Sequence, residues 1–172
     1  MVQTQTTTTK TVGKVVRPSA MARMVDLPIS PKHGVEISNA LRWKTTTYAR
    51  RVLDGVIALE KPIKFTRYDQ DLGHKPGIGA GRFPQKAAQS FLKLVASVEA
   101  NAQHKGLNVS NLKIIKLIAN KGAIPQTGGR IRRSRKRANL EIEVCEAPMS
   151  QKKSAVKSTG AGRGAAAKPV KK

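Results

Sequence analysis

The side chains with the most distinctive chemistry in this chain are the lysines and arginines between Leu72 and Leu140. That stretch carries fourteen Lys and Arg residues and a single carboxylate, Glu99. Positive charge at this density repels itself unless a polyanion neutralises it, and the phosphate backbone of a nucleic acid fits that role best. The densest part, residues 129–137 (GRIRRSRKR), lies directly before an alternating segment, so we expect the charge to sit on a folded element.

A merely soluble surface usually mixes bases with acids, and the basic run before Leu140 contains no acid. We therefore predict that this run contacts RNA phosphates, together with cations in the preceding Gly-rich loop and at the start of the next helix. The predicted RNA-binding residues are Arg67, His74, Lys75, Arg82, Lys86, Lys121, Arg130, Arg132, Arg133, Arg135, Lys136 and Arg137.

The Gly-rich segment 73–81 (GHKPGIGAG) invites comparison with phosphate-binding loops. It lacks the Gly-Lys-Ser/Thr ending of a nucleotide-binding loop and the full spacing of a dinucleotide fingerprint. A flexible basic loop, whose glycines let the backbone approach RNA phosphates, is favoured instead. The rings of Tyr68 and Phe83 leave two readings open, because they could stack on nucleobases or pin the loop to the core.

Residues that could support catalysis or metal binding are scattered. His33, His74 and His104 fall in different predicted elements, and no carboxylate pair or Ser/His/Asp spacing recommends an active site. Asp69 and Asp71 are two apart in a loop, where they more readily shape a turn than bind a metal. We predict no enzyme activity, no cofactor and no metal site.

The chain has 172 residues and a formal net charge of +23. Residues 1–25 and 148–172 contain no acid and few large apolar side chains, so they cannot bury enough surface to offset chain entropy. We expect a basic Thr-rich N-terminal extension over 1–25, an RNA-binding domain over 26–147 and a basic low-complexity tail over 148–172, with both extensions disordered.

Cys145 is the one cysteine, which excludes an internal disulfide and a Cys-based zinc site and fits a reducing compartment. No apolar run approaches the roughly 20 residues that a membrane-spanning helix needs. The N-terminus also lacks the apolar centre of a signal peptide. These features predict a soluble intracellular protein without membrane contact.

Capping residues and apolar spacing predict two helices in the first part of the domain. Ser30 and Pro31 mark the start of the first, which runs to about Trp43. The second runs from about Thr45 to Glu60 and is followed by Pro62, whose preceding residue avoids helical geometry. We expect Pro62 to end it.

A third helix carries the clearest apolar stripe of the chain, with alternating spacings of four and three. Lys93 lies off this stripe, and Gly106 can take the left-handed position that ends a helix. The stripe consists of Pro84, Ala88, Phe91, Val95, Val98 and Ala102.

Two strands are predicted near the end of the domain. The segment 140–144 (LEIEV) alternates strictly, as a half-buried strand does. The segment 112–119 (LKIIKLIA) could form a helix face, but its isoleucines and its shortness favour a strand. Joined by the basic Gly-rich segment, the two predict a long antiparallel hairpin. Residues 63–83 are predicted to be a long loop.

Three stretches resemble a known family: GHKPGIGAGRFPQKAAQSFLKL, VEANAQHKGLNVSNLKI and the hairpin closing in LEIEV. They are similar to the large-subunit ribosomal proteins numbered twenty-two in bacteria and seventeen in eukaryotes. The Gly-rich loop before Arg82 is typical of archaeal and eukaryotic members. The resemblance covers about residues 27–146, and 99–102 followed by 105–107 is the most recognisable signature.

The resemblance implies an α+β fold in which three helices pack on a small antiparallel sheet and a long β-hairpin protrudes at about 112–146. It implies a structural constituent of the large ribosomal subunit that binds and bridges rRNA, aids assembly and lines the nascent-peptide exit tunnel with its hairpin. The implied partners are large-subunit rRNA, neighbouring ribosomal proteins and the nascent polypeptide in the cytoplasmic ribosome, without a membrane partner or a homo-oligomer.

This chain departs from the family at the end of the hairpin. Only AIPQTG (123–128) separates Gly122 from the Gly129-Arg130 pair, where the family runs through a longer basic tip. We therefore expect a shorter and less charged tip beside the tunnel. The predicted tip residues are Ile124, Pro125, Gln126, Thr127 and Gly128.

Two other classes of protein compete with this interpretation. A chromatin or DNA-architectural protein would also suit the basic Ala/Lys-rich tail. An RNA-modifying enzyme would need a cofactor site or an acid/base constellation, and the sequence shows neither. The structural rRNA-binding interpretation is preferred.

Overall fold

The computed structural model describes residues 18–126, 128, 130 and 134–147, which form three α-helices, a short 3-10 turn and six strands. The predicted α+β class, with three helices, antiparallel sheet and a hairpin, is confirmed. The elements are β1 (Ser19–Leu27), α1 (Pro31–Leu41), α2 (Thr46–Ile57), β2 (Ile63–Lys64), β3 (His74–Lys75), β4 (Gly79–Arg82), α3 (Gln85–His104), β5 (Leu112–Lys121) and β6 (Ala138–Glu146).

The larger sheet has the strand order β1-β6-β5, with antiparallel pairing on both sides of β6. On β6, Leu140 and Ile142 are buried, whereas Glu141 and Glu143 between and after them are only partly covered. This alternation is typical of a sheet with helices on one side, and it confirms the predicted half-buried strand. The ambiguous segment 112–119 is a strand, as favoured, and extends two residues further.

Strand β1 spans the predicted domain boundary, since residues 25 and 26 both lie within it. Ala20 and Ala22 are buried beneath α3, while Met21 and Arg23 point to the other side of the sheet. Two alanines are a weak apolar signal, so the alternation does not reveal a strand in the sequence. The prediction of disorder for the rest of the two extensions lies outside the described residues.

Helices α1 and α2 begin where the capping residues predict and end earlier than predicted. Pro31 is the first residue of α1, and at the start of α2 the Tyr48 N–H donates to Thr45 Oγ1 at 3.3 Å. Beyond α2, Leu59 adopts a left-handed φ of 63°. The chain therefore leaves the helix before Leu59, and Pro62 is not what ends it.

Helix α3 is confirmed in position and orientation. All six residues of the predicted stripe are buried, Phe91 completely, and Lys93 is exposed. After the helix Gly106 has a φ of 73°, and the Leu107 N–H donates to the Ala102 carbonyl at 2.9 Å. This left-handed cap satisfies a terminal carbonyl, as the glycine predicts. Helix α3 packs against β1, α2 and β6, so its stripe forms the centre of the core.

The prediction of a plain loop over 63–83 is wrong, because this segment contains a second sheet with the order β2-β4-β3. Ile63 pairs with Arg82, and His74 pairs with Ala80. Strands of two to four residues are too short to display a period of two, which is why the sequence pattern does not predict them. The Gly-rich segment is thus an ordered hairpin on the surface.

The hairpin of β5 and β6 continues past Lys121 and Ala138, the last pair of the ladder. Further out, Gln126 forms an isolated antiparallel bridge with Ser134. The two arms therefore still face each other at Gln126 and Ser134, five residues beyond Lys121 on the first arm. The hairpin therefore turns later than the sequence interpretation assumed.

The bridge places three of the predicted tip residues before the end of the hairpin, and the role of the tip residues at a tunnel stays a prediction. Ile124, Pro125 and Gln126 belong to the first arm, because they precede the Gln126 bridge. Ile124 also lines a cavity beside α1, at the base of the hairpin rather than at its end. Gly128 follows the bridge, and Thr127 lies outside the described residues.

Candidate nucleic-acid interface

Three adjoining cavities surround the N-terminal end of α1, where the base of the hairpin meets the helix. Their volumes are about 500, 580 and 580 Å³, and Ser30 and Lys136 line all three. Eight Lys and Arg side chains and one acid, Asp71, line them. We call this surface the basic face. Its cations are Lys32, Arg67, Arg82, Lys86, Lys121, Arg135, Lys136 and Arg137.

The basic face gathers cations from separate parts of the chain. Seven of the twelve predicted RNA-binding residues lie on it, from the loop after β2, from β4, from the start of α3 and from both arms of the hairpin. Sequence reasoning missed Lys32, in the first turn of α1. An isolated lysine carries no signal in sequence, and only the fold brings it beside Arg67 and Lys136.

Three of the other predicted RNA-binding residues lie away from the basic face. His74 and Lys75 are exposed on β3 and do not line the three cavities. Arg130 is exposed in the turn of the hairpin. Arg132 and Arg133 lie outside the described residues. The structure therefore does not bring His74, Lys75 or Arg130 together with the basic face.

Glu36 holds the loop that presents Arg67. Glu36 is buried, with 1% of its surface exposed. Its carboxylate accepts hydrogen bonds from the backbone N–H groups of Arg67 at 2.8 Å, Tyr68 at 2.9 Å and Thr66 at 3.1 Å. Burying a carboxylate is costly unless hydrogen bonds satisfy it, and these backbone donors do so. Sequence reasoning missed Glu36, because nothing near it in sequence identifies a partner thirty residues away.

Tyr68 lies beside two cations of the basic face. Lys32 Nζ and Arg67 Cζ are each 5.5 Å from its ring centroid. The ring is partly exposed and lines two of the cavities. Phe65 is buried instead, with its ring 5.6 Å from that of His33 in an edge-on arrangement. Phe65 therefore fixes the loop to the domain, and the Tyr68 ring is accessible to a ligand.

Arg137 has a structural partner. Its Nη1 donates to the Asp26 carbonyl at 3.0 Å, and its Nε lies 3.7 Å from Asp26 Oδ1. Asp26 has a left-handed φ of 58° at an irregularity in β1, and its N–H donates to Asn139 Oδ1 at 2.8 Å. Arg137 thus joins the second arm of the hairpin to the end of β1. Among the described residues it is the one cation of the basic face in an ion pair.

The lone carboxylate of the 72–140 stretch is used inside the domain. Glu99 on α3 forms an ion pair with Arg50 on α2. The Glu99 side chain is 12% exposed, so its charge is directed to that partner. The positive charge of the basic face is therefore left largely uncompensated.

His33 lies within the field of the basic face. Burial lowers the pKa of its imidazole below the ordinary value of 6.5, and the charges of Arg82 and Lys136 lower that pKa further. The ring is therefore neutral at neutral pH. An anion bound between these cations would offset their charge and raise the pKa of His33 again.

Other kinds of site find no support in the part of the chain that the structure describes. No group of three His, Cys, Asp or Glu residues there could hold a metal ion. No helix in that part has the length and apolar composition needed to cross a bilayer. The Gly-rich segment forms β3, a turn and β4, which differs from a nucleotide-binding loop that leads directly into a helix.

Comparison with known proteins supports the family resemblance that the sequence motifs indicate. A family model described as Ribosomal protein L22p/L17e matches residues 20–153. The large ribosomal subunit protein uL22 of Methanoculleus marisnigri is 41% identical over 136 residues, which cover 74% of this chain and 89% of that protein. The proteins of that name from Ignicoccus hospitalis and Thermoplasma acidophilum are 39% and 41% identical, with 74% of this chain and 88% of each relative covered. The predicted resemblance is confirmed, and the chain belongs to the ribosomal protein L22p/L17e family.

Proposed function

We propose that this chain is a structural, non-enzymatic constituent of the large subunit of the cytoplasmic ribosome, where it binds and bridges rRNA. Its relatives are named large ribosomal subunit proteins, which supports the ribosomal part of the proposal. The observation that carries the RNA-binding part is the basic face, with eight cations and one acid. Nucleic acid phosphates are the partner that such a surface fits.

The cations of the basic face fall into two groups, one on the body of the domain and one on the hairpin, and this arrangement could bridge two segments of RNA. Lys32, Arg67, Arg82 and Lys86 belong to the domain, while Lys121, Arg135 and Lys136 belong to the hairpin. Two RNA segments that repel each other could approach here, because each would meet its own cations. Such bridging would help rRNA to fold during assembly of the subunit.

The hairpin is the element that would line the nascent-peptide exit tunnel. Its ladder ends at Lys121 and Ala138, and the arms continue to the bridge between Gln126 and Ser134. Arms that leave the sheet in this way can pass between RNA helices without disturbing the core of the domain. The partners of the chain would then be rRNA, neighbouring ribosomal proteins and the nascent polypeptide.

The RNA-binding proposal is tested by the salt dependence of binding to large-subunit rRNA. A triple variant, Lys32→Gln, Arg67→Gln and Lys136→Gln, removes three cations of the basic face. If each contacts a phosphate, the slope of log K against log salt should become shallower by about 2–3, at roughly 0.7–0.9 per contact.

A matched control removes three exposed lysines away from the basic face: Lys61→Gln, Lys93→Gln and Lys113→Gln. This variant has the same net charge as the first and should keep a steeper slope. Equal slopes for the two variants would show that the basic face has no special role. Equal affinity for rRNA and for duplex DNA would instead favour a DNA-architectural protein.

A further inference from the structure

We propose that the cavity between α1 and the base of the hairpin holds one unpaired nucleotide of the bound RNA, with its base in an apolar slot and its phosphates on a cationic rim. The cavity has a volume of about 580 Å³ and is one of the three that form the basic face. The proposal rests on the RNA-binding function proposed above and specifies the class of ligand at one position. We call this cavity the nucleotide slot.

Apolar side chains from both elements line the nucleotide slot. Pro31 and Val35 come from α1, Ala119 from β5 and Ile124 from the first arm of the hairpin. Ile124 is 40% exposed, although it is a large apolar side chain. This apolar surface lies in a concave site and would be covered well by a flat apolar group.

A close contact between the helix and the strand gives the slot its shape. Gly34 lies against Ala119, and a Cβ added at residue 34 would come within 2.9 Å of the Ala119 Cβ. Val35, next to Gly34 in sequence, and Pro31, three residues before it, line the slot on the helix side. The absence of a side chain at Gly34 thus lets α1 approach β5 and form one wall of the cleft.

Cations and an aromatic ring complete the lining. Lys32, Arg67, Lys121 and Lys136 line the same cavity, and no carboxylate does. The ring of Tyr68 lies beside them, and Glu36 fixes the backbone of both Arg67 and Tyr68. Apolar surface, an aromatic ring and unpaired cations together match a nucleotide, which combines a flat base with an anionic phosphate.

The size and surroundings of the slot favour a single unpaired base. Cavities of about 300–1,000 Å³ hold one small molecule. A duplex keeps its bases stacked inside, so its phosphates could reach the rim while no base reached Ile124. The two neighbouring cavities share Ser30 and Lys136 with the slot, so an RNA strand could continue over the basic face on either side.

Methyl NMR of the full chain tests the slot directly. The probes are a single-stranded oligoadenylate hexamer, the same hexamer paired in an RNA duplex, and ribose 5-phosphate. An adenine seated in the slot should shift the Ile124 methyl signal upfield through its ring current. Ile118, on β5 before the first arm leaves the ladder and outside the slot, is the internal control and its signal should not move. Neither the duplex nor ribose 5-phosphate should reproduce the upfield shift.

Variants separate base contact from phosphate contact. Ile124→Asn should weaken binding of the single-stranded hexamer by about tenfold and leave the salt dependence unchanged, since no charge is lost. Ile124→Ala is a milder second variant, and thermal unfolding checks that both fold. Met21→Asn is the matched control, because Met21 is a similarly exposed apolar residue on β1, outside the slot.

The outcomes distinguish this proposal from the proposed function. If rRNA binding is salt-dependent but the Ile124 variants bind the hexamer normally and its methyl signal stays in place, the slot is wrong and the basic face remains. If ribose 5-phosphate or the duplex shifts Ile124 as the hexamer does, the site binds phosphate only and the slot is again wrong. If the chain binds no RNA at all, the proposed function fails as well.

Discussion

The carboxylate of Glu36 on α1 accepts the backbone N–H of Arg67, thirty-one residues further along the chain, at 2.8 Å. The same carboxylate accepts the N–H groups of Thr66 and Tyr68, so three consecutive backbone donors converge on one buried acid. In this way a buried residue inside the domain determines where a cation of the basic face stands. We therefore expect stability and RNA binding to be coupled at this position.

Replacing Glu36 should reduce both properties. Glu36→Gln keeps the side-chain volume but replaces one acceptor oxygen with an NH₂ group, which faces backbone N–H donors and cannot accept from them. We expect this change to lower the free energy of unfolding by about 2–4 kcal/mol. It should also weaken RNA binding, because Arg67 and Tyr68 lose their fixed position. Urea unfolding and an rRNA binding curve measure the two effects. Glu60→Gln, at an exposed position, is the control, and equal stability of the two variants would contradict the assignment.

The core of the domain depends on the stripe of α3. Phe91 is completely buried and Lys93 is exposed two residues away on the same helix. Phe91→Ala should lower the free energy of unfolding by about 3–5 kcal/mol because it leaves a cavity, whereas Lys93→Ala should change it little. Urea unfolding of the full chain compares them. Similar losses for both variants would mean that the helix does not pack as described.

Two arginines of the hairpin should behave differently from each other. Arg137 is bound to Asp26, so Arg137→Gln should lower the free energy of unfolding by about 1–2 kcal/mol. Arg135 is exposed on the basic face, so Arg135→Gln should leave stability unchanged and make the salt dependence of rRNA binding shallower. Thermal unfolding and salt titration of rRNA binding are measured for both variants, so that each effect can be assigned to one arginine. A loss of stability in Arg135→Gln as large as in Arg137→Gln would overturn it.

The stability of the free protein should fall as the pH drops below about 6.5. Because burial and nearby Arg82 and Lys136 lower the pKa of His33 in the folded state, the unfolded chain takes up a proton there first. The contribution of His33 to stability is therefore present above its unfolded pKa and is lost as the pH falls toward its folded pKa. Unfolding curves at pH 5.5 and 7.5 measure this difference. His33→Gln should reduce the difference, and His104→Gln, at an exposed position, should not.

The hairpin carries no charge from Ala123 through the first arm to Gly128, just beyond the Gln126 bridge. Each residue removed from an antiparallel arm shortens its reach by about 3.4 Å, so two fewer residues per arm withdraw the end by roughly 7 Å. We predict a tunnel that is wider, or at least less positively charged, beside this arm than in relatives with a longer basic tip. A density map of the assembled subunit measures this. Full penetration of 123–128 into the tunnel, or another protein in the space, would contradict the prediction.

The helices and the main hairpin were predictable because their signals are local. The stripe that begins at Pro84 and continues along α3 places six buried residues at spacings of three and four, and Gly106 ends the helix by adopting a left-handed φ. The alternation of β6 likewise reflects a sheet covered on one side. These patterns repeat over enough residues to be read in a sequence without knowing what packs against them.

The remaining features depend on contacts between distant segments. Strand β1 buries only the small side chains of Ala20 and Ala22 fully, with Met24 and Leu27 partly buried against the core, and it becomes recognisable as a strand through its pairing with β6. Glu36 meets its backbone partners only after α1 and the loop come together. The charge of the hairpin predicted a nucleic-acid partner, but the position of Lys32 on the same surface required the fold.

The contact between Gly34 and Ala119 has a mechanical consequence for the hairpin. It lies close to the point where the arms leave the sheet, and a methyl group added at residue 34 would press on Ala119 from 2.9 Å. A small rotation of the arms where they leave the sheet moves each residue in proportion to its distance from that point. A shift of a few tenths of an ångström beside Gly34 would thus change the direction in which the hairpin leaves the sheet, so this glycine helps to determine the orientation of the hairpin.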